Sequence, residues 1–316
     1  LSRRQRQMCI RDRYRVIGRK KMLKQSKNEV VIEGILNEVD LEVRKDKNDR
    51  TYISGKVFFL VQQTINGVED IDIIPVNVFA YELTKAGKQN PAFKSAKDLL
   101  DNYKSISSLG GGRDAIESAD KYMVTGANIA VNQFTAADGR EVTYPLIRGS
   151  FFQKVNVNKS LQPEASFTQE ILIKKIEPEV KDDVETGRLL IDGIVIQYGE
   201  IPDIITYVVA SKEAIDFIDN NWAPEDTVKI GGRIRWSVTE DTIEDNTEVG
   251  FGTPEKRVVQ KTLREFVITS GSGSYPEESS YNTEEVVAAL QKKKEDYEAK
   301  QKENQTPKAS PRSRGF

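Results

Sequence analysis

The chain has 316 residues, 30% of them charged, a formal net charge of −2 and a mean hydropathy of −0.53, which fits a soluble protein long enough for two domains with separate cores. It contains no His and a single Cys, excluding His-based nucleophilic systems, general bases and metal sites, and any intramolecular disulfide framework. There is no GxxxxGK(S/T) phosphate loop, no signal peptide, and no apolar run near the roughly 18–20 residues of a membrane span, so no membrane contact is expected and the cytoplasm of a host cell is the expected compartment.

Residues 1–21 differ from the rest. LSRRQRQMCIRDR resembles translated adapter read-through of assembled metagenomic sequence, and Met22 is the expected true start. The segment carries nine Arg/Lys against one Asp, so without it the formal charge falls from −2 to about −10. The other reading is a basic arm for nucleic acid. The only cysteine, Cys9, lies here.

Glu29–Arg44, EVVIEGILNEVDLEVR, reads as a long strand bent at a bulge by Gly34, the kind of strand that turns the corner of a small closed barrel. Leu189–Val195 matches Val30–Leu36 in residue class at every position, which points to a second barrel. Lys45–Arg50 is a polar turn. Tyr52–Gln63 and Ile71–Leu83 are strands joined at Asn66-Gly67. In the latter, Ile74, Val76, Val78 and Ala80 share one face and Asn77, Phe79 and Tyr81 the other.

Pro91–Ile106 has helical spacing, with Phe93, Ala96, Leu99, Leu100 and Tyr103 on one side. Gly110–Gly112 reads as a linker with no helix behind it. Tyr122–Phe134 and Glu141–Val155 form a hairpin turning at Asp138-Gly139. Three strands, a helix and two strands is the order of an oligonucleotide-binding (OB) barrel. A polar connector at 156–166 follows. Phe167–Ile176, the Gly193 strand, Ile204–Ala210, a short helix capped by Ser211, Val228–Val238 and Val258–Thr269 repeat that order, with an acidic loop at Glu240–Glu248. From Gly271 a linker leads to a short helix capped by Asn282 and a tail expected to be disordered. The expected fold is mainly β: two tandem five-stranded OB-like barrels at 22–158 and 159–270, each with a helix between its third and fourth strands, and a tail at 271–316 outside both cores.

Two patterns point to chemistry. Lys229, Arg233 and Arg235 share one face of a strand, and their mutual repulsion would be relieved by a polyanion; the alternative is a solvated face balanced by nearby acids. In the first barrel Tyr81, Tyr144, Phe151 and Phe152 combine with Lys56, Arg148 and Lys154. Aromatic rings stack bases while cations neutralise phosphates on a sheet face, although Phe58, Phe59 and Phe152 also read as core. For catalysis only Asp70 and Asp72 offer a carboxylate pair, and a hairpin turn accounts for them.

VVIEGIL, IIPVNVFAYEL with Phe79, KYMVTGANIAV around Gly126, and TVKIGGRIRW resemble the single-stranded DNA-binding proteins of phages and mobile elements of Gram-positive bacteria, over about Asn28–Ser270. That resemblance implies tandem OB-folds coating exposed strands in replication or recombination. It implies no catalysis and no cofactor or metal, with single-stranded DNA, replication or recombination proteins and further copies of the chain as partners. The bacterial relatives close on an acidic tail ending Pro-Phe, whereas this chain ends Arg312–Phe316, against tail-mediated recruitment. The expected contacts are Lys56, Asn77, Phe79, Tyr81, Tyr144, Arg148, Lys154, Lys229, Arg233 and Arg235. The alternative is a phage assembly protein using the same barrels for protein contacts.

Overall fold

The structure, a computed structural model, describes residues 23–65, 68–136, 138–155, 162–244 and 256–305. The basic segment with Cys9, most of the connector and the Arg312–Phe316 end lie outside the described residues. The elements in order are β1 (Asn28–Lys45), β2 (Thr51–Ile65), β3 (Val68–Tyr81), α1 (Pro91–Asn102), a 3-10 turn (Ser107–Leu109), α2 (Arg113–Ser118), β4 (Lys121–Thr135), β5 (Glu141–Arg148), β6 (Phe151–Lys154), β7 (Glu164–Lys181), β8 (Val184–Gln197), β9 (Ile201–Val209), α3 (Lys212–Asn221), β10 (Thr227–Glu244), β11 (Lys256–Gly271) and α4 (Thr283–Gln305).

The chain is mainly β, and its strands form one 11-stranded sheet. The pairings close twice. β1 pairs with β2 and with β4, β2 with β3, β3 in parallel with β5, and β5 with β4, completing a first ring. β7 pairs with β8 and with β10, β8 with β9, β9 in parallel with β11, and β11 with β10, completing a second. The rings join where β1 runs antiparallel to β7, from Asn28 opposite Gln169 to Glu33 opposite Glu164.

Period-2 alternation decides the inside of each ring. On β3, Ile74, Val76, Val78 and Ala80 are buried, while Asn77, Phe79 and Tyr81 face outward. Ile32, Ile74, Ile129 and Ile147 are wholly buried, each contributing about 1.5–3 kcal/mol over an exposed position. One apolar cluster runs from Val30 through Phe59 and Phe152 to Phe167, Tyr207 and Phe266. Within it Tyr207 donates to Gln169 Oε1 at 2.7 Å, and Gln169 Nε2 donates to Asn28 Oδ1 at 2.9 Å. Burial pushes the Tyr207 phenol well above its ordinary value.

α1 starts as its sequence dictates: Asn90 Oδ1 accepts from the Ala92 N–H at 3.1 Å, and Pro91 occupies the first turn, where its missing donor costs nothing. Phe93, Ala96 and Leu99 are buried beneath it.

Several expectations need correcting. The register of β1 against β2 slips between Leu36 and Glu38, beyond Gly34. The matching signatures are not equivalent strands, since the Val30 copy is the first strand of its ring and the Leu189 copy lies on β8, the second. What they share is close approach: a Cβ on Gly34 would meet Leu60 O at 2.8 Å, and one on Gly193 the Ile171 Cδ1 at 2.8 Å. Gly110–Gly112 does lead into a helix, with Gly112 as the cap of α2. The expected strand Glu141–Val155 breaks at Gly149-Ser150 into β5 and β6, and Gly149 packs so closely there that a Cβ would lie 2.5 Å from Val76 Cγ1. Glu240–Glu244 continues β10, and only the remainder of the acidic loop lies outside the described residues.

The segment after Gly271 also joins a core. α4 is a 23-residue helix whose cap is as expected, Asn282 Oδ1 accepting from the Glu285 N–H at 3.1 Å. Val286 and Tyr281 are buried against Leu172, Ile194 and Ile196 of the second ring. The few apolar residues of this stretch fall near its start, where Val286 is buried and Leu290 packs against the same cluster while Val287 stays exposed.

Candidate nucleic-acid interface

β2 and β3 set the frame of the site. Their register places Lys56 opposite Asn77, Ser54 opposite Phe79 and Tyr52 opposite Tyr81. The parallel closure of β3 with β5 adds Arg148 beside Asn77, and β4 adds Asn128 beside Arg148 and Asn132 beside Tyr144. These strands open a cleft of about 750 Å³ lined by Lys56, Asn77, Phe79, Tyr144 and Arg148. Lys56 and Arg148 are exposed, and Phe79 shows 62% of its surface to solvent. An aromatic ring left that open gains nothing from the core.

Polar side chains hold the cleft walls. Asn77 Nδ2 donates to the Ile147 carbonyl at 3.3 Å, and Asn132 Nδ2 donates to Tyr144 Oη at 3.0 Å. Phe134 stands edge-on to Tyr144, with centroids 6.2 Å apart. Gly55 lets β1 and β2 close up at the cleft floor; its φ is +144° and a Cβ there would lie 1.9 Å from Asp40 O. No other residue type fits that backbone.

Tyr81 stands at the rim. Its ring packs edge-on against Phe79 at 5.3 Å and against Tyr52 at 5.9 Å. Tyr81 Oη donates to Asp46 Oδ2 at 3.3 Å, while the Arg50 guanidinium lies 4.6 Å from the ring centroid. The hydrogen bond from Arg50 holds the Asp46 carboxyl down at about 2, below the usual carboxylate range. The β1–β2 turn is thereby tied to the aromatic group.

The remaining candidates lie elsewhere. Lys154 pairs with Asp120 at 2.7 Å on β6, away from the cleft. Phe152 is buried and stacks on Phe59, as the core reading has it, whereas Phe151 is 42% exposed. Lys229 is exposed on β10, opposite Glu170. Arg233 and Arg235 face outward from β10 as expected, but carboxylates of the first ring meet them. Arg233 Nη1 lies 3.0 Å from Asp70 Oδ2, Arg235 Nη1 lies 3.0 Å from the same oxygen, and Arg235 Nε lies 3.1 Å from Asp72 Oδ2. Asp72 also accepts from the Trp236 N–H at 2.7 Å. The repulsion inferred from the sequence is therefore relieved inside the chain, and the argument for a polyanion at this pair falls. Asp70 and Asp72 are salt-bridge partners joining the two rings. Among the described residues no group of three or more Asp, Glu, Cys or His is placed to hold a metal ion, and no helix is long and apolar enough to cross a membrane.

The sequence reading missed Tyr52, Asn128 and Asn132. The two Asn residues lie four apart on one face of the otherwise apolar NIAVN stretch of β4, with buried Ala130 between them.

No curated protein matches the chain. Among solved structures it is similar to the wild-type single-stranded DNA binding protein from Thermus aquaticus, at 8% identity and a TM-score of 0.50, over 80% of this chain and 95% of that one. A deletion mutant of the same Thermus aquaticus protein aligns at 10% identity and a TM-score of 0.48, over 81% of this chain and 99% of that one. The likeness is one of fold. The YorF family model matches residues 27–304, and the chain belongs to the YorF family.

Proposed function

We propose that this protein binds single-stranded DNA without catalysing a reaction, and that the first-ring cleft is its principal site. The observation that carries the reading is the convergence of Lys56, Asn77, Phe79, Tyr144 and Arg148, drawn from three strands, on one open cleft. Exposed Phe79 and half-buried Tyr144 offer stacking platforms that accept any base, and two exposed cations offer phosphate contacts. Tyr81 supports Phe79 from the rim.

In this reading each ring is an OB barrel, with domains at 22–158 and 159–270 and the Tyr281–Val286 stretch packed onto the second, and the protein coats exposed strands in phage replication or recombination. The shared fold with a protein named for single-stranded DNA binding supports it. Lys154, Arg233 and Arg235, each already paired with a carboxylate, are left out of the proposed contacts, and Lys229 lies at the periphery.

A fluorescence titration with labelled oligo-dT at low and high salt tests this. Saturable binding that weakens steeply with salt is expected. Absence of binding at low salt would overturn the reading.

A further inference from the structure

A second concavity borders the cleft. It is a groove of about 810 Å³ between α4 and the edge formed by β4 and the β8–β9 turn. Asn132 lines both the groove and the cleft, so the two lie on either side of the residue that holds Tyr144.

α4 bridges the two rings above this groove. Its first turns bury Val286 in the second ring. Lys293 Nζ then donates to Asp203 Oδ1 at 2.6 Å and to the Pro202 carbonyl at 2.9 Å. Further along, Tyr297 Oη lies 3.1 Å from Thr135 Oγ1 on β4, and Gln301 Nε2 donates to the same oxygen at 2.6 Å. Ala288 and Ala289 line the groove; side chains this short leave space under the first part of the helix.

The groove has the chemistry of the cleft in dilute form. Lys292 and Lys300 line it with Tyr297 between them, and both lysines are exposed. Eight residues of helix separate them by about 12 Å, a span that non-adjacent phosphates of one strand bridge. Glu285 and Asp296 share the wall, and Glu200 accepts the Leu23 N–H at 3.0 Å. Such a mixed wall suits a few phosphate contacts and not a broad polyanion surface.

We propose that the groove under α4 continues the strand track of the cleft and receives the sugar–phosphate backbone of single-stranded nucleic acid, with Lys292 and Lys300 as its phosphate contacts. This rests on the strand-binding reading of the cleft and extends its length.

The full chain is titrated with oligo-dT of graded length over a range of salt concentrations. The double variant Lys292→Ala/Lys300→Ala should shorten the occluded length and lower the slope of log affinity against log salt by about 1.4, at ~0.7 per phosphate of a single strand. Lys294→Ala, an exposed change on the same helix outside the groove, should alter neither. Irradiated oligo-dT carrying 5-bromodeoxyuridine should attach to Tyr297. If the double variant keeps the wild-type slope and length while Lys56→Ala/Arg148→Ala weakens binding, the groove is overturned and the cleft stands. An equal effect from Lys294→Ala would reduce the result to net charge and also overturn the groove. If the wild type binds no oligo-dT, both fall.

Discussion

Tyr281 donates its phenol to Ser26 Oγ at 2.9 Å, and both residues are buried. Ser26 Oγ also accepts from the Ile196 N–H at 2.8 Å, and the Tyr281 N–H donates to Thr227 Oγ1 at 2.9 Å. One tyrosine thus ties the residues before β1, the end of β8 and the start of β10 to the segment that leads into α4. The helix lies where it does because its approach is fixed by buried hydrogen bonds as well as by apolar packing.

Tyr281→Phe should therefore lower stability by about 1–2 kcal/mol, the cost of one lost hydrogen bond with a buried partner left behind. A chain ending at Ser270 should lose more, at least about 3 kcal/mol, because Val286 and the Tyr281 ring also leave the core. It further removes the Ser272 carbonyl that accepts from Trp222 Nε1 at 2.8 Å. Urea denaturation measures both. A truncated chain as stable as the full one would show that α4 only rests on the second ring.

The same tyrosine gives a pH dependence. Burial, as the largest cause, raises the Tyr281 phenol to about 12, against roughly 10 in an unfolded chain. Above pH 10 the unfolded state releases this proton and the folded state retains it, so the unfolded state gains. Stability is full below pH 10 and is lost as pH rises through 12. Tyr207, also raised, acts in the same sense. Tyr281→Phe should flatten the melting temperature between pH 10 and 12; an unchanged profile would place the alkaline loss elsewhere.

The pairing of Arg235 with Asp72 carries a third expectation. Asp72 has a side-chain exposure of 5% and Arg235 one of 18%, so removing the arginine leaves a carboxylate with little access to water. Arg235→Ala should cost about 3 kcal/mol, near the lower end for broken buried pairs. Asp72→Asn, which keeps an acceptor for the Trp236 N–H, should cost less. Neither change should alter the salt slope of oligo-dT binding. A lowered slope with unchanged stability would return the pair to the strand-contact set.

What the sequence disclosed and what it hid divide along chain separation. The outward set Asn77, Phe79 and Tyr81 was legible because a strand alternates every residue, and hairpin register then placed Lys56 beside Asn77. The order of strands along the chain was legible too, but α2 ahead of β4 and the parallel β3–β5 pairing that closes the first ring were not. Arg235 and Asp72 lie 163 residues apart in the chain, and they meet only because β1 pairs with β7 and brings the rings together. No local pattern on β10 reports that. The role of α4 was hidden for another reason. Its composition is that of a solvated helix, and the apolar residues that anchor it lie in its first turns and just before them.

The last expectation separates stacking from charge in the cleft. Phe79 is the most exposed of the three packed rings that include Tyr52 and Tyr81, so it offers a free face for a base. Phe79→Ala should weaken oligo-dT binding by about 1–3 kcal/mol, roughly 5- to 150-fold in Kd, with the salt slope nearly unchanged. Lys56→Ala/Arg148→Ala should weaken binding mainly at low salt and lower the slope by about 1.4, since each phosphate of a single strand contributes ~0.7. The two side chains approach the cleft from β2 and β5, and no ion pair links either to a carboxylate among the described residues. Their substitution therefore leaves no buried charge behind, and the melting temperature should stay close to wild type. If Phe79→Ala lowers the slope while the double lysine–arginine change does not, the assignment of stacking and phosphate roles in this cleft is wrong.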